Sequence, residues 1–129
     1  MNKFEFILPQ SNEVLKIFEF FDLKKIKGCQ LILDCDVIQA DGGTRTASIS
    51  GAFVALSLAV KKLLNNTTLT ENPIKDYLSA ISCGIVNGEI YVDLDYIEDS
   101  KANVDANFIF SKSSGIAEVQ ISGEGFTFK

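Results

Sequence analysis

The sequence of 129 residues lacks histidine altogether and contains a single arginine, Arg45. The absence of histidine excludes catalysis by a Ser-His or Cys-His pair and most zinc sites, because these depend on an imidazole. Carboxylates are then the side chains left for acid–base or metal chemistry. The scarcity of arginine and a formal net charge of −5 remove the broad basic surface that is typical of nucleic-acid-binding proteins. Contact with a polyanion must therefore be local or shared with another chain.

Cysteine is scarce too, and no pair shows the Cys-x-x-Cys spacing of metal or redox sites. Cys29, Cys35 and Cys83 lie in apolar, strand-like contexts, so we expect reduced core residues. No apolar run reaches the ~20 residues of a membrane span, and residues 1–9 lack the apolar core of a signal peptide. These absences predict a cytoplasmic protein with no membrane partner.

The composition that remains is that of a globular protein, with 47% hydrophobic and 22% charged residues. A chain of this length forms one domain with a real core, and we predict a single domain over residues 1–129. Helical periodicity predicts an amphipathic helix at residues 11–24, capped by Ser11 or Asn12, and a longer one at 46–64.

Strand signals flank the longer helix. Side-chain alternation predicts a strand at residues 30–37. Residues 80–86 and 89–95 form a predicted hairpin, because the intervening Asn-Gly suits a type I′ turn. A second predicted hairpin pairs 107–110 with 116–121. The fold class is therefore α+β, a mostly antiparallel sheet covered on one face by the long central helix.

Residues 41–48, which read Asp-Gly-Gly-Thr-Arg-Thr-Ala-Ser, lie between the predicted strand and the long helix. Glycines allow a tight turn, hydroxyl residues can cap a helix, and a helix N-terminus with a nearby guanidinium attracts an anion. The pattern predicts a phosphate site, although it is not a Walker P-loop. A tight turn with a solvated arginine explains the same residues, and both interpretations stay open.

A second group of polar residues concentrates carboxylates within thirteen positions: Asp93, Asp95, Glu98, Asp99 and Asp105. Hard oxygen ligands suit Mg²⁺ or Mn²⁺. Asp99 and Asp105 could converge only if the chain turned between them, since six residues along a helix leave side chains about 120° apart. An acidic surface loop is the alternative explanation.

Residues 33–51 resemble the ribonuclease PH family of bacterial phosphorolytic 3′→5′ exoribonucleases, which trim tRNA precursors. The motif at 41–48 carries most of this resemblance. The segments at 72–73, 82–89, 93–107 and 118–120 follow in the order and spacing of the family. The similarity covers residues 22–120.

The resemblance implies a fold like that of ribosomal protein S5 domain 2 and a ring-shaped hexamer. It implies that Gly43, Thr44 and Arg45 bind inorganic phosphate, the co-substrate. Asp99 and Asp105 are implied as the catalytic residues that also hold a divalent metal, Mg²⁺ or Mn²⁺. The implied partner is RNA, at a tRNA 3′ end, and the implied products are a nucleoside diphosphate and an RNA one residue shorter.

The sequence also departs from the family pattern. About half of the family's usual chain has no counterpart, including basic segments that contact RNA and a second phosphate-binding arginine. We therefore expect an incomplete domain, truncated at both ends, that forms a homo-oligomer or combines with a complementing chain. Whether the chain is itself an enzyme stays open. It is an exoribonuclease, a non-catalytic subunit for RNA processing or interaction, or an inactive remnant of a truncated gene.

Overall fold

The computed structural model describes residues 15–26, 28 and 31–123. In chain order the elements are α1 (Leu15–Glu19), a 3₁₀ turn (Leu23–Ile26), α2 (Thr44–Asn65), β1 (Leu78–Val86), β2 (Glu89–Val92), α3 (Tyr96–Asp99), β3 (Val104–Ser111) and β4 (Gly115–Gly123). The four strands form one sheet in the order β2-β1-β3-β4, and every neighbouring pair is antiparallel. The α+β class and the antiparallel sheet beside a long helix are confirmed.

Both predicted hairpins are present. Asn87 and Gly88 have φ values of 53° and 84°, and a type I′ turn requires positive φ at both positions. The second hairpin joins β3 to β4 through residues 112–114, and Gly115 follows with φ 81°. Local turn chemistry therefore determines two of the three strand pairings, β1 with β2 and β3 with β4.

The core lies between α2 and one face of the sheet. Apolar residues at helical spacing turn one stripe of α2 inward, and Ile49, Phe53 and Leu56 are almost fully buried there. They pack with Leu78 of β1 and Ile109 of β3. The hydroxyl of Ser50 adds a polar contact to this packing, since it accepts from the backbone N–H of Ala80 at 2.9 Å and donates to the carbonyl of the same residue at 3.2 Å. This packing fixes the position of the α2 N-terminus relative to the strands.

The other side of the sheet is apolar and partly exposed. Among the described helices, α1 and α2 contribute to the core on the opposite side. Because side chains alternate along a strand, the pairing register defines this second surface, called the outer face below. It comprises Ser79, Ile81, Cys83 and Ile85 of β1, Ile90 and Val92 of β2, Val104, Ala106, Phe108 and Phe110 of β3, and Ile116, Val119, Ile121 and Gly123 of β4. Val104 and Ala106 are buried.

The strand predicted at residues 30–37 is absent from the described part, residues 31–37, which has no regular secondary structure. Leu31 and Leu33 pack against the core cluster, so alternation was a correct sign of half-burial. A strand also needs a hydrogen-bonded neighbour, and this segment instead lies beside α2, where Cys35 Sγ is 3.8 Å from the carbonyl oxygen of Ser48. Gln30 lies outside the described residues.

The expectation of core cysteines is wrong for Cys35, which is exposed, because its segment is not part of the sheet. Cys83 is half-buried on the outer face, where burial raises the pKa of its thiol. Both are free thiols, and Cys29 lies outside the described residues.

The helix predicted at residues 11–24 is shorter than expected at its C-terminal end. Helix α1 ends at Glu19, because Phe21 forms an isolated antiparallel bridge with Ile74. The backbone N–H of Asp22 also donates to the carbonyl of Pro73 at 2.8 Å. The proposed caps, Ser11 and Asn12, lie outside the described residues.

The expectation that no segment matches a membrane span is wrong for α2 by length and composition. This helix has 22 residues and a mean hydropathy of 1.5 over its best 18-residue window. The mean hydropathy is high because polar positions such as Ser50 and Ser57 are averaged with their apolar neighbours, so no uninterrupted apolar run is needed. The helix packs one face on the sheet, and the core helix of a globular fold has the same composition.

Candidate functional site

The loop before α2 lies directly against the acidic segment that follows β2. A Cβ at Gly42 would be 2.1 Å from the carbonyl oxygen of Leu94, so only glycine fits at this position. The Asp41 carboxylate accepts from the N–H of Gly42 at 2.9 Å and from the N–H of Tyr96 at 2.5 Å. The two polar regions singled out in the sequence are therefore neighbours in the fold.

The N-terminus of α2 has a different cap from the one predicted. Gly43 occupies the N-cap position with φ 69°, and no side chain caps the helix. The hydroxyls point the other way: Thr46 Oγ1 donates to the carbonyl of Gly43 at 2.9 Å and Ser48 Oγ to that of Thr44 at 2.8 Å. Hydroxyl residues inside a helix commonly donate to preceding carbonyls. The first-turn amide groups are thus left uncapped by side chains, as an anion site requires.

Arg45 extends from the first turn of α2 to the far strand of the sheet. Its Nη2 is 3.2 Å from Oε1 of Glu118, and its Nη1 donates to Oε1 of Gln120. Its side chain is only 20% exposed. Glu118 is also 3.9 Å from Lys16 Nζ and so lies between two cations. The interpretation of Arg45 as a solvated surface arginine is wrong, because β4 holds its guanidinium.

Asp105 lies on β3, on the face of the sheet that packs against α2. Partial burial raises the pKa of its carboxyl, and the negative charge of Asp99 raises it further. A hydrogen bond from Asn107 Nδ2 at 3.4 Å and the positive charge of Arg45 lower the same pKa. The charges of Asp99 and Arg45 therefore act on the Asp105 carboxyl in opposite directions.

The chain turns between Asp99 and Asp105. Helix α3 ends at Asp99, and the N–H of Asn103 donates to the carbonyl of Ile85 at 2.8 Å as the chain enters β3. The condition stated from the sequence, a turn between the two aspartates, is met.

The rest of the acidic cluster does not join them. Asp95 caps α3, and its side chain and that of Glu98 form a reciprocal capping box. Within residues 31–123 and the shorter described segments, no three Asp, Glu, Cys or His side chains are arranged to hold a metal ion. Two of the five carboxylates, Asp95 and Glu98, thus serve in local helix capping. Two carboxylates still suit Mg²⁺, which often retains several waters and uses one or two protein ligands.

Sequence reasoning assigned no role to the side chains that surround Arg45 and Asp105. Ser82, Asn107 and Gln120 lie opposite one another in register across β1, β3 and β4. Ser82 is 2% exposed, and its Oγ has no hydrogen-bond partner in the described part of the chain. A Cβ at Gly43 would lie 2.8 Å from this oxygen. Side-chain alternation would have predicted this polar row if the register of β1, β3 and β4 had been known. That register depends on the turns between the strands.

Comparison with known proteins gives one family match and many relatives. Residues 76–128 match the 3′ exoribonuclease family, domain 2. Over 107 residues the chain is 52% identical to ribonuclease PH from two strains of Neisseria gonorrhoeae. The aligned region is 83% of this chain but 44% of those relatives, so the chain spans less than half of their length.

Solved structures with the same fold are more distant in sequence. An archaeal exosome core matches with a TM-score of 0.59 and 19% identity, over 90% of this chain and 51% of that one. The Archaeoglobus fulgidus exosome with RNA bound to the active site matches with a TM-score of 0.50 and 22% identity, over 71% and 37% of the two chains. These similarities establish the fold that the sequence resemblance implied, which is like that of ribosomal protein S5 domain 2.

Proposed function

We propose that this chain, which belongs to the 3′ exoribonuclease family and corresponds to the C-terminal half of ribonuclease PH, supplies the phosphate site and the catalytic carboxylates of a phosphate-dependent 3′→5′ exoribonuclease. The observation that carries the proposal is geometric: Arg45 donates to Gln120, which lies opposite Asn107 in register, and Asn107 donates to Asp105 at 3.4 Å. The cation proposed for phosphate and the carboxylate of Asp105 are thus joined through one row of side chains across β3 and β4.

In this proposal inorganic phosphate binds at Gly43, Thr44 and Arg45. The amides of the α2 first turn and the guanidinium donate hydrogen bonds to the phosphate oxygens. A phosphate oxygen attacks the phosphorus of the terminal phosphodiester, and the bond from that phosphorus to the 3′ oxygen breaks. The products are a nucleoside diphosphate and an RNA shortened by one residue, whose 3′ oxygen gains a proton.

Asp99 and Asp105 have two roles in the proposed reaction. The raised pKa of Asp105 makes its carboxyl easier to protonate, which suits proton transfer to the leaving 3′ oxygen. The pair would also hold Mg²⁺ or Mn²⁺, and such an ion, when bound, neutralises charge on the phosphoryl group. Their mutual repulsion favours a bound cation.

The proposed substrate is the 3′ end of an RNA, in the first instance a tRNA precursor, as the relatives named ribonuclease PH suggest. RNA bound at the active site of the Archaeoglobus exosome structure supports an RNA substrate. The net charge of −5 leaves this chain with little basic surface. We therefore propose that RNA binding depends on an oligomer or on a complementing chain that supplies the other half of the domain.

The test is release of nucleoside diphosphate from a short RNA with a single-stranded 3′ end, with Mg²⁺ and a phosphate titration. The chain is assayed alone and with the N-terminal half of Neisseria gonorrhoeae ribonuclease PH as a second polypeptide. We expect phosphate-dependent release that Arg45→Lys weakens mainly through phosphate affinity, since lysine lacks the planar fork of arginine. Asp105→Asn should reduce turnover at saturating phosphate.

Lys61→Ala, an exposed substitution in the penultimate turn of α2, is the matched control and should leave release unchanged. A binding measurement separates the site from the missing half: Mg²⁺ should raise the melting temperature of the wild type more than that of Asp105→Asn. Activity that persists in both site variants would refute the residue assignment. RNA binding without phosphorolysis in either arm would favour the non-catalytic subunit.

A further inference from the structure

The guanidinium of Arg45 is held at two points by one strand. Its Nη2 is 3.2 Å from Oε1 of Glu118, and its Nη1 donates to Oε1 of Gln120. Glu118 and Gln120 lie on the same side of β4, and residues two apart along a strand are separated by about 7 Å. Because a guanidinium is planar and rigid, contacts to two of its nitrogens fix its position and limit its rotation.

The two contacts differ in charge. Glu118 is a carboxylate that also lies 3.9 Å from Lys16 Nζ, so it is shared between two cations. Gln120 is neutral, and it must present its amide oxygen to Arg45 because a guanidinium has only donors. Gln120 therefore holds the guanidinium without adding a negative charge beside it, whereas Glu118 adds one.

Gln120 also belongs to the polar row that leads to Asp105. It lies opposite Asn107 in register, and Asn107 Nδ2 donates to Asp105 at 3.4 Å. This row crosses β3 and β4 on the side of the sheet that faces α2. The contact from Gln120 thus fixes the guanidinium on the same side of the sheet as the Asp105 carboxylate.

We propose that Gln120 is a positioning residue of the phosphate site, whose side-chain oxygen orders Arg45 before phosphate binds. Gln120 acts at the site proposed above, so its role rests on the proposed function. An arginine side chain has many rotamers, and ordering it in advance removes a cost that binding otherwise carries. A guanidinium has five N–H groups, so it can contact β4 and an oxyanion at once.

Two substitutions of Gln120 separate orientation from charge. Leucine removes the accepting oxygen and keeps a side chain of similar size, so Arg45 can turn about its contact with Glu118. Phosphate binding should then weaken about fivefold, the usual cost of ordering one long side chain. Glutamate keeps an accepting oxygen but adds a negative charge, so Arg45 should stay ordered while phosphate binding also weakens.

The test is NMR spectroscopy of the full chain, in which Arg45 is the single arginine and gives one Nε–Hε signal. The heteronuclear NOE of this signal measures the rigidity of the side chain without phosphate, and its shift during titration with inorganic phosphate gives the dissociation constant. We expect a lower NOE and weaker binding in Gln120→Leu, and the wild-type NOE in Gln120→Glu. Thr70→Leu, which places leucine at an exposed polar position between α2 and β1, is the control and should change neither quantity.

Gln120→Ser removes the same contact in a second way, because serine is too short to reach the guanidinium, and it should behave like Gln120→Leu. Circular dichroism should show both variants folded, since Gln120 is exposed. An NOE and a dissociation constant that both variants leave unchanged would overturn the role of Gln120 and leave the phosphate site intact. Weaker binding with an unchanged NOE would overturn that role too, because Gln120 would then not act by ordering Arg45. A wild-type signal that phosphate does not shift would refute the phosphate site itself, and the role of Gln120 with it.

Discussion

Arg45 in the first turn of α2 and Glu118 in β4 form a salt bridge with 3.2 Å between Nη2 and Oε1, although they are 73 residues apart in sequence. The contact ties the uncapped N-terminus of the helix to the far strand of the sheet. It also places a carboxylate on the guanidinium that we propose as a phosphate ligand. Glu118 thus orients Arg45 and at the same time opposes the binding of an anion.

Replacement of Glu118 by glutamine should strengthen phosphate binding. The amide oxygen can still accept from Arg45 Nη2, but the negative charge beside the anion is gone. Removal of roughly 1 kcal/mol of repulsion corresponds to about a fivefold lower dissociation constant. Isothermal calorimetry with inorganic phosphate measures this, and Glu89→Gln, the same change at an exposed position of β2, is the control. Weaker binding in Glu118→Gln than in the control would mean that orientation of Arg45 outweighs repulsion.

Alanine at Gly43 should destabilise the fold. The residue has φ 69°, which costs a side chain about 1–2 kcal/mol, and the new Cβ would lie 2.8 Å from Ser82 Oγ and 3.2 Å from Thr46 Oγ1. We expect a loss of about 2 kcal/mol or more in the free energy of unfolding, measured by urea denaturation.

Gly51→Ala is the control for that substitution. Gly51 lies inside α2 and is exposed, and a Cβ there would meet nothing within 4 Å. Alanine should stabilise this position by about 0.5–1 kcal/mol, because glycine is a poor helix former. Equal effects of the two substitutions would contradict the close approach of Gly43 to Ser82.

Much of the fold could be predicted from the sequence, because it depends on residues that are close together along the chain. Asn87-Gly88 determined the first hairpin, and the apolar spacing of Ile49, Phe53 and Leu56 determined the buried stripe of α2. The segment at residues 31–37 has a strand-like pattern but no partner in the described sheet, and pairing is a property of the fold rather than of the segment. The same limit applies to the site, since Glu118 and Gln120 reach Arg45 only after three strands are in register.

Asp105 should make stability fall as pH rises. Burial and the charge of Asp99 raise the pKa of Asp105 above its usual value of 3.8, so the folded state holds this proton more tightly than the unfolded state does. The free energy of unfolding should therefore decrease as pH rises from 3.8 through the raised pKa. Asp105→Asn removes this dependence and should be more stable than the wild type at pH 7.

The measurement is urea denaturation of both proteins from pH 3.5 to pH 7. The advantage of Asp105→Asn should be small at the acidic end and largest at neutral pH. Mg²⁺ should reduce that advantage, since a bound cation compensates the carboxylates of the wild type. A constant difference at every pH would show that the asparagine acts through packing rather than through the lost charge.

Asp76 should have the opposite effect on acid stability. Its carboxylate accepts hydrogen bonds from the hydroxyl of Ser111 and from Ser113, whose N–H and Oγ are 3.0 and 2.6 Å away, and these bonds hold the pKa of Asp76 well below its usual value. Because the unfolded state then binds the proton more tightly, the stabilisation is present above pH 3.8 and is lost as pH falls below it. Asp76→Asn should be less stable than the wild type at pH 7, and the difference should shrink in acid.

Urea denaturation at pH 7 and pH 3 measures both quantities, with Asp34→Asn on the exposed segment before α2 as the control for loss of a charge. A difference that grows in acid would contradict the hydrogen-bonded carboxylate as the cause.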